Sequence, residues 1–320
     1  MSEYHPPLRP TPPHAWPVVK PRTITPLGVP AVPSDKSLVF PLSPTETTAH
    51  VRVALDEDQA FHDVSTLATV VSTRHVRGAI VARRDGMIAG IPLAVEAFRQ
   101  LDASLTVRIE TEDGTRVKKG QRLLHLSGHA RGMLSAERTA LNYMQRLSGV
   151  ATLTCRFVDA IKGTGALILD TRKTTPHYRA LEKYAVRVGG GTNHRMDLRS
   201  GVLIKDNHLA AIGGDMAMAV SRARALAYPG TPIQVECDTL SQIEAALAAG
   251  ADCVLFDNMP LDMIRDAVAL CKNRAITEAS GGVTFDTVRA IAETGVQRIS
   301  VGALTHSAPA LDLALDFEGL

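Results

Sequence analysis

Six short apolar runs recur in the second half of the chain, and each ends in a polar residue or a glycine. Ala166-Leu167-Ile168-Leu169 gives way to Asp170-Thr171-Arg172-Lys173, and Val202-Leu203-Ile204 to Lys205-Asp206-Asn207-His208. Ile233-Gln234-Val235 ends in Glu236, and Cys253-Val254-Leu255-Phe256 in Asp257-Asn258. Ala275-Ile276-Thr277-Glu278-Ala279 runs into Ser280-Gly281-Gly282, and Arg298-Ile299-Ser300-Val301 into Gly302. Glu236, Asp257, Ser280 and Gly302 fall 21, 23 and 22 residues apart. Each interval has room for one strand, one helix and two short loops. Ser241-Gln242-Ile243-Glu244 has capping-box spacing, Pro260 stands where a helix can open, and Gly250 and Gly295 where one can close. Repeated βα units with polar strand ends predict a TIM-like α/β barrel. A doubly wound open sheet is the competing arrangement, but it needs polar groups at one crevice only.

The first half has a different rhythm. A helix is expected from Val51 towards Thr69, with a turn at Asp63-Val64-Ser65-Thr66. Strand-like runs follow at 78–82 and 86–90, a helix at 94–101, a strand at 105–109, and Val117–Leu124 after the turn residues 112–115. Glycine-punctuated strands of this kind suggest a smaller mixed α/β sandwich domain. From Ser135 the period turns helical, and Ser148-Gly149 is expected to separate that helix from a second over 150–162. Twelve of the 18 prolines lie in residues 1–44, which have neither helical nor strand period. The expected division is a proline-rich disordered arm at 1–48, a mixed α/β domain at 49–147 and a barrel at 148–320.

Composition narrows the function. With 45% hydrophobic and 21% charged residues, the 320-residue chain can bury a sizeable core. No apolar run is long enough to span a bilayer, and the N-terminus has no apolar leader, so neither a membrane anchor nor a signal peptide is expected. A net charge of +2, 4% aromatic residues and a single tryptophan, Trp16, in the arm argue against nucleic acid. Cys155, Cys237, Cys253 and Cys271 lack metal or redox spacing and read as buried thiols of a cytoplasmic protein.

The chemistry lies at the strand ends. Arg172, Lys173, His194, Arg195, Lys205 and His208 converge on one mouth if the barrel forms, and Arg138 could join them from the preceding helix. Any one of them alone would read as a solvated surface charge. A concave cationic site binds polyanions, and arginine forks suit carboxylate or phosphate. Glu236 and Asp257 add negative charge to the same mouth, suited to Mg²⁺, sugar hydroxyls or a developing positive centre. Ser280-Gly281-Gly282 and Gly302 offer unobstructed backbone N–H groups on the last two strands, where barrels often hold a phosphate. These features imply an enzyme acting on a phosphorylated sugar with further anionic groups, consistent with ribosyl transfer.

The strings then resemble a known family. Thr171–Pro176, Ala180–Val186, Gly189-Gly190-Gly191 with Asn193-His194-Arg195, Leu203–His208, Val235-Glu236, Asp257-Asn258, Glu278–Gly282 and Val301–Ser307 look, in order, like quinolinate phosphoribosyltransferase. Asp63–Thr66 and Glu137–Asn142 fit upstream, so the resemblance covers about residues 50–315. It implies a type II phosphoribosyltransferase that converts quinolinate and phosphoribosyl pyrophosphate to nicotinate mononucleotide, CO₂ and pyrophosphate in de novo NAD synthesis, with Mg²⁺. Carried over motif by motif, Arg172, His194 and Arg195 would hold the quinolinate carboxylates, beside Thr171. Arg138 would reach in from the partner of a homodimer with shared active sites; whether dimers go on to form a hexamer stays open. Lys173 and Lys205 would act at the pyrophosphate side with Asp206 nearby, and Glu236 and Asp257 would bind ribose hydroxyls and Mg²⁺. Ser280, Gly281 and Gly282, with Val301, Gly302 and Ala303, would cradle the 5′-phosphate, with His306 beside them.

Three places depart from the family pattern: Asp197 and His177, where glycine is usual at or near the position, and Arg199-Ser200, where an aromatic-acid pair is common. Three alternatives remain at this level. A Schiff-base aldolase would use Lys205 or Lys173, although the surrounding cations suit it poorly. A divergent family member linked to molybdenum uptake would not use quinolinate. A carrier hairpin at 112–128 lacks the isolated tip lysine that such carriers modify.

Overall fold

The computed structural model describes residues 38–318. Residues 1–37 of the expected arm lie outside the described residues. Folded structure begins before the expected domain start, because α1 (Pro44–Glu57) opens with a capping box. Ser43 takes the Glu46 N–H while the Glu46 carboxylate takes the Ser43 N–H, which satisfies two of the helix's orphan donors. Asp63 is an N-cap rather than a turn residue: its side chain accepts the Thr66 N–H at 3.0 Å and starts α2 (Val64–Thr69).

β1 (His75–Ala82) and the two-residue β2 (Gly86–Met87) come next. The strand expected over 86–90 stops early because Gly90, at φ +99°, caps α3 (Ile91–Leu101). β3 (Thr106–Ile109), β4 (Arg116–Val117) and β5 (Arg122–His129) lead into α4, a single helix of 31 residues at Ala130–Ala160. The break expected at Ser148-Gly149 is absent, and both residues serve packing inside the helix. The buried Ser148 hydroxyl bonds the Ala89 N–H and C=O, and a Cβ on Gly149 would run into the Pro309 backbone. The boundary expected between residues 147 and 148 therefore falls in mid-helix.

Six parallel strands follow: β6 (Leu167–Leu169), β7 (Val202–Ile204), β8 (Ile233–Cys237), β9 (Cys253–Asp257), β10 (Ile276–Ser280) and β11 (Arg298–Ser300). Between them run α5 (Arg179–Val188), α6 (Asp206–Ala210), α7 (Met216–Leu226), α8 (Leu240–Ala248), α9 (Leu261–Cys271) and α10 (Val288–Ala292). α8 uses Thr239 and Gln242 for its capping box, two residues before the expected pair. The spatial order β6-β11-β10-β9-β8-β7 puts the first strand beside the last, as a barrel requires and a doubly wound sheet does not. Thr192 adds a parallel bridge to Leu169 on the far side of β6. Among the described residues no ladder bond joins that bridge to β7, so the barrel is open at one seam.

α11 (Ala303–His306) precedes β12 (Leu313–Phe317), which leaves the barrel and pairs antiparallel with β1. The N-terminal sheet thus has the order β12-β1-β5-β3, all antiparallel. Its inner face packs Ile80, Leu124 and Leu126 against Phe98 of α3 and Met133 of α4, all fully buried.

Candidate active site

The site is built on a buried polar floor. Asp170, fully buried just past β6, accepts the Lys183 ammonium, the His194 N–H at 2.8 Å and the Asn193 amide at 2.6 Å. Lys183, on α5, also donates to the His194 carbonyl at 3.0 Å. Burial pushes the Asp170 carboxyl up and the Lys183 ammonium down, each opposed by the charge of the other. One residue earlier on α5, Glu182 is also fully buried. It takes the N–H and hydroxyl of Thr175, both at 3.0 Å, and the Arg146 guanidinium at 2.5 Å. One turn of α5 therefore holds both loops that carry the expected quinolinate residues.

A second layer lies inside the barrel. Glu278 of β10, almost fully buried, accepts Gln234 Nε2 at 2.9 Å and Ser300 Oγ at 2.5 Å, and faces His194 Nε2 at 3.4 Å. Burial raises this carboxyl, but the His194, Ser300 and Gln234 interactions outweigh it and leave it below its ordinary value. The Arg195 N–H donates to His194 Nδ1 at 2.7 Å, so in the neutral ring the proton sits on Nε2, towards Glu278.

The mouth sits above. Lys205 is ion-paired with Glu236 on the adjacent strand. Asp257 is in register with Ser280, and its Oδ2 takes only the Asn258 amide, at 3.1 Å, among the described residues. Gly281 and Gly282 have φ of +88° and +59°, so two successive residues adopt the left-handed region behind Ser280. The Lys173 chain and the His306 ring flank Gly302, at 3.3 and 3.2 Å from where a Cβ would stand. The buried Thr305 hydroxyl donates to the Lys173 carbonyl at 2.7 Å, and Thr171 Oγ1 accepts the Lys173 N–H at 3.0 Å. Arg172 has its Nε buried without any hydrogen-bond partner among the described residues. Arg195 is held at Gly201 O, 3.0 Å away; burial first, and then the Arg172 charge, lower its pKa.

Some expected residues stand apart. Val301 spends its N–H on Leu169 O at 2.9 Å, so it can offer none to a phosphate; Gly302 and Ala303 open the next turn instead. Asp206 is exposed and bonds only the Asn207 N–H among the described residues. Arg138 is exposed on α4 with no hydrogen bond or ion pair among them. The three departures make their own local contacts. His177 takes φ +59°, Asp197 closes a turn through the N–H groups of Arg199 and Ser200, and Arg199 donates to the Tyr228 hydroxyl at 3.0 Å. Sequence reasoning does not reach Asp170, Glu182, Lys183, Gln234, Glu278 or Ser300 as site residues; a polar side chain inside an apolar run, such as Gln234 or Glu278, is the signal that could find them.

Elsewhere the described residues offer little reactive chemistry. Burial pushes the Cys237 and Cys253 thiols up to about 12 and that of Cys271 up to about 11, far from the thiolate a nucleophile needs. A hollow of about 660 Å³ on the outer face of the N-terminal sheet is lined by Arg122, Asp316 and Glu318, and none of the mouth residues reaches it.

Comparison with known proteins decides the family. The C-terminal domain of quinolinate phosphoribosyl transferase matches residues 150–316, and the N-terminal domain matches residues 63–148. The chain belongs to the quinolinate phosphoribosyltransferase family. The nicotinate-nucleotide pyrophosphorylase [carboxylating] of Mycobacterium leprae is 45% identical over 272 residues, covering 83% of this chain and 95% of that protein. The probable enzyme of the same description from Bacillus subtilis is 43% identical, covering 78% and 86%. The solved nicotinate-nucleotide pyrophosphorylase of Francisella tularensis superposes with a TM-score of 0.81 at 36% identity, covering 87% of this chain and 99% of that one. Among the described residues, no helix is long and apolar enough to cross a membrane.

Proposed function

We propose that this chain transfers the phosphoribosyl group of phosphoribosyl pyrophosphate to quinolinate, giving nicotinate mononucleotide, CO₂ and pyrophosphate, as a step in NAD synthesis. The observation that carries the reading is the buried Nε of Arg172, which has no partner among the described residues and whose charge acts on the neighbouring Arg195. A buried guanidinium N–H costs free energy unless an acceptor meets it. A pyridine dicarboxylate supplies that acceptor and places its ring nitrogen towards Glu236 and Asp257.

The ring nitrogen attacks the anomeric carbon as the bond to pyrophosphate breaks, and the departing oxygen takes the electron pair. Positive charge grows on the ribose in this step, and the fixed carboxylates of Glu236 and Asp257 stabilise it. Lys173 and Lys205 offset the charge of the leaving pyrophosphate. The ring nitrogen of the product is cationic, so its charge stabilises the electron pair left on the adjacent carbon when CO₂ departs, and that pair then takes a proton from solvent in place of CO₂. The glycine turn after Ser280, with Gly302 and Ala303, receives the 5′-phosphate.

The described residues hold no cluster of three or more metal-binding side chains. Two strand-end carboxylates suit Mg²⁺ only as a partial shell, completed by substrate phosphates and water. On this reading Glu236 and Asp257 would hold Mg²⁺, which would supply charge neutralisation to the phosphates of phosphoribosyl pyrophosphate. On the same reading the chain forms a homodimer, and Arg138, exposed on α4, is the residue each subunit would lend to the other's site. A Schiff-base reading is disfavoured, since Lys205 is ion-paired with Glu236 instead of lying in apolar surroundings.

The test is direct product detection. Protein, quinolinate, phosphoribosyl pyrophosphate and Mg²⁺ should yield nicotinate mononucleotide by mass spectrometry, and replacing quinolinate with nicotinate should yield none. A folded protein that forms no product would refute the reading.

A further inference from the structure

Glu278 is a charged side chain, almost fully buried on the barrel floor, and it touches neither substrate in the mechanism above. A buried carboxylate is costly, and apolar replacements of buried ionic groups are often neutral or stabilising, so packing alone is a weak reason for it. Its three neighbours arrive from three directions. Gln234 on β8 donates to Oε2, Ser300 on β11 donates to Oε1, and the same Oε1 faces His194 Nε2 on the loop above.

The consequence runs upward through His194. Because Glu278 takes the Nε2 edge, Nδ1 is left as the acceptor, and it is filled by the Arg195 N–H at 2.7 Å. The Arg195 backbone is thereby tied to the ring, and its guanidinium is steadied at Gly201 O. Glu278 on one edge of the ring and the Arg195 N–H on the other together orient His194, and the ring in turn anchors the Arg195 backbone. We infer that Glu278 is a positioning residue for the quinolinate pocket, acting through His194 rather than by contact with the substrate. This rests on the quinolinate reading above.

A competing route exists inside the same strand. Glu278 lies two residues before Ser280, so a purely structural role would disturb the phosphate turn as much as the quinolinate side. The two routes separate in binding measurements. Glu278→Gln keeps the shape but sets an NH₂ group against donors on one side. By titration calorimetry it should weaken quinolinate binding about tenfold, the scale typical of partners that orient a functional histidine. Phosphoribosyl pyrophosphate affinity should stay within about twofold. In a His194→Ala background the same change should add less than about twofold, since contacts that work through one another are non-additive.

Ser300→Ala, which releases Oε1 from its hydroxyl anchor, gives a second entry to the same cycle if Glu278→Gln does not fold. It should weaken quinolinate binding with His194 present and have no effect without it. Unchanged quinolinate binding in Glu278→Gln, equal loss for both substrates, or a full effect without His194 would each overturn the inference. Wild-type protein that fails to bind quinolinate would overturn both this inference and the functional reading. Wild-type binding with an unaffected variant would sink this inference alone.

Discussion

Lys183→Met tests the site scaffold most sharply. The side chain is replaced at nearly constant length, and Asp170 is stranded in the interior with only the His194 N–H and the Asn193 amide to meet its charge. Breaking a buried pair from one side costs about 3–5 kcal/mol, because the remaining charge is uncompensated. At a urea slope of about 3 kcal/mol per molar the midpoint should fall by about 1–1.7 M. The deficit should depend on pH. Burial already holds the Asp170 carboxyl above its ordinary value of 3.8, and removing the ammonium raises it further. A carboxyl with a raised folded pKa binds more protons folded than unfolded, so stability is lost as pH climbs from 3.8 through the folded pKa. The variant should therefore recover part of its deficit as the pH is lowered from neutrality towards 3.8. Urea titrations of both proteins across that range, followed by circular dichroism, would read this. A midpoint shift below about 0.3 M, or a deficit that grows on acidification, would show that the buried pair does not carry the load assigned to it.

Four further outcomes follow from the mouth. Glu236→Gln and Asp257→Asn should lower kcat by about 10²–10³, as loss of transition-state electrostatics does, while quinolinate affinity measured by calorimetry survives. Arg172→Lys keeps the charge but loses the fork and should weaken quinolinate binding by about 1.5–3 kcal/mol, read from the same titrations. Gly281→Ala forces an L-residue to φ +88° and drives a Cβ into the Asn258 side chain; the strain alone is about 1–2 kcal/mol. KM for phosphoribosyl pyrophosphate should rise with quinolinate binding intact. Arg138→Ala and Lys173→Ala should each be impaired alone, and mixing them under conditions of proven subunit exchange should restore activity if sites are shared.

The barrel was legible because strand ends and helix caps are local signals. Asp257 and Ser280, 23 residues apart in sequence, are register partners on neighbouring strands. What stayed hidden depended on distant contacts. Ser148-Gly149 reads as a helix stop, yet Gly149 is small so that the Pro309 backbone can approach, a demand set 160 residues downstream. The mouth residues were visible as charges on strand ends. The floor that holds them was not, since Asp170, Lys183 and Glu278 acquire their meaning only when three loops close on them. Val301 sits in the right string, but its N–H belongs to the ladder with Leu169, which only strand pairing reveals.

The return of β12 to β1 has a consequence for synthesis of the chain. Until residues 313–317 have left the ribosome, the sheet that begins at His75 lacks its outer strand. β1 then presents a free edge with Gly78–Ala82 unpaired on that side, the kind of edge that recruits other strands. Multidomain chains usually complete their first-made part first. Here the first-made sheet is finished last, so stalled or truncated chains should aggregate through β1 even when the barrel is whole.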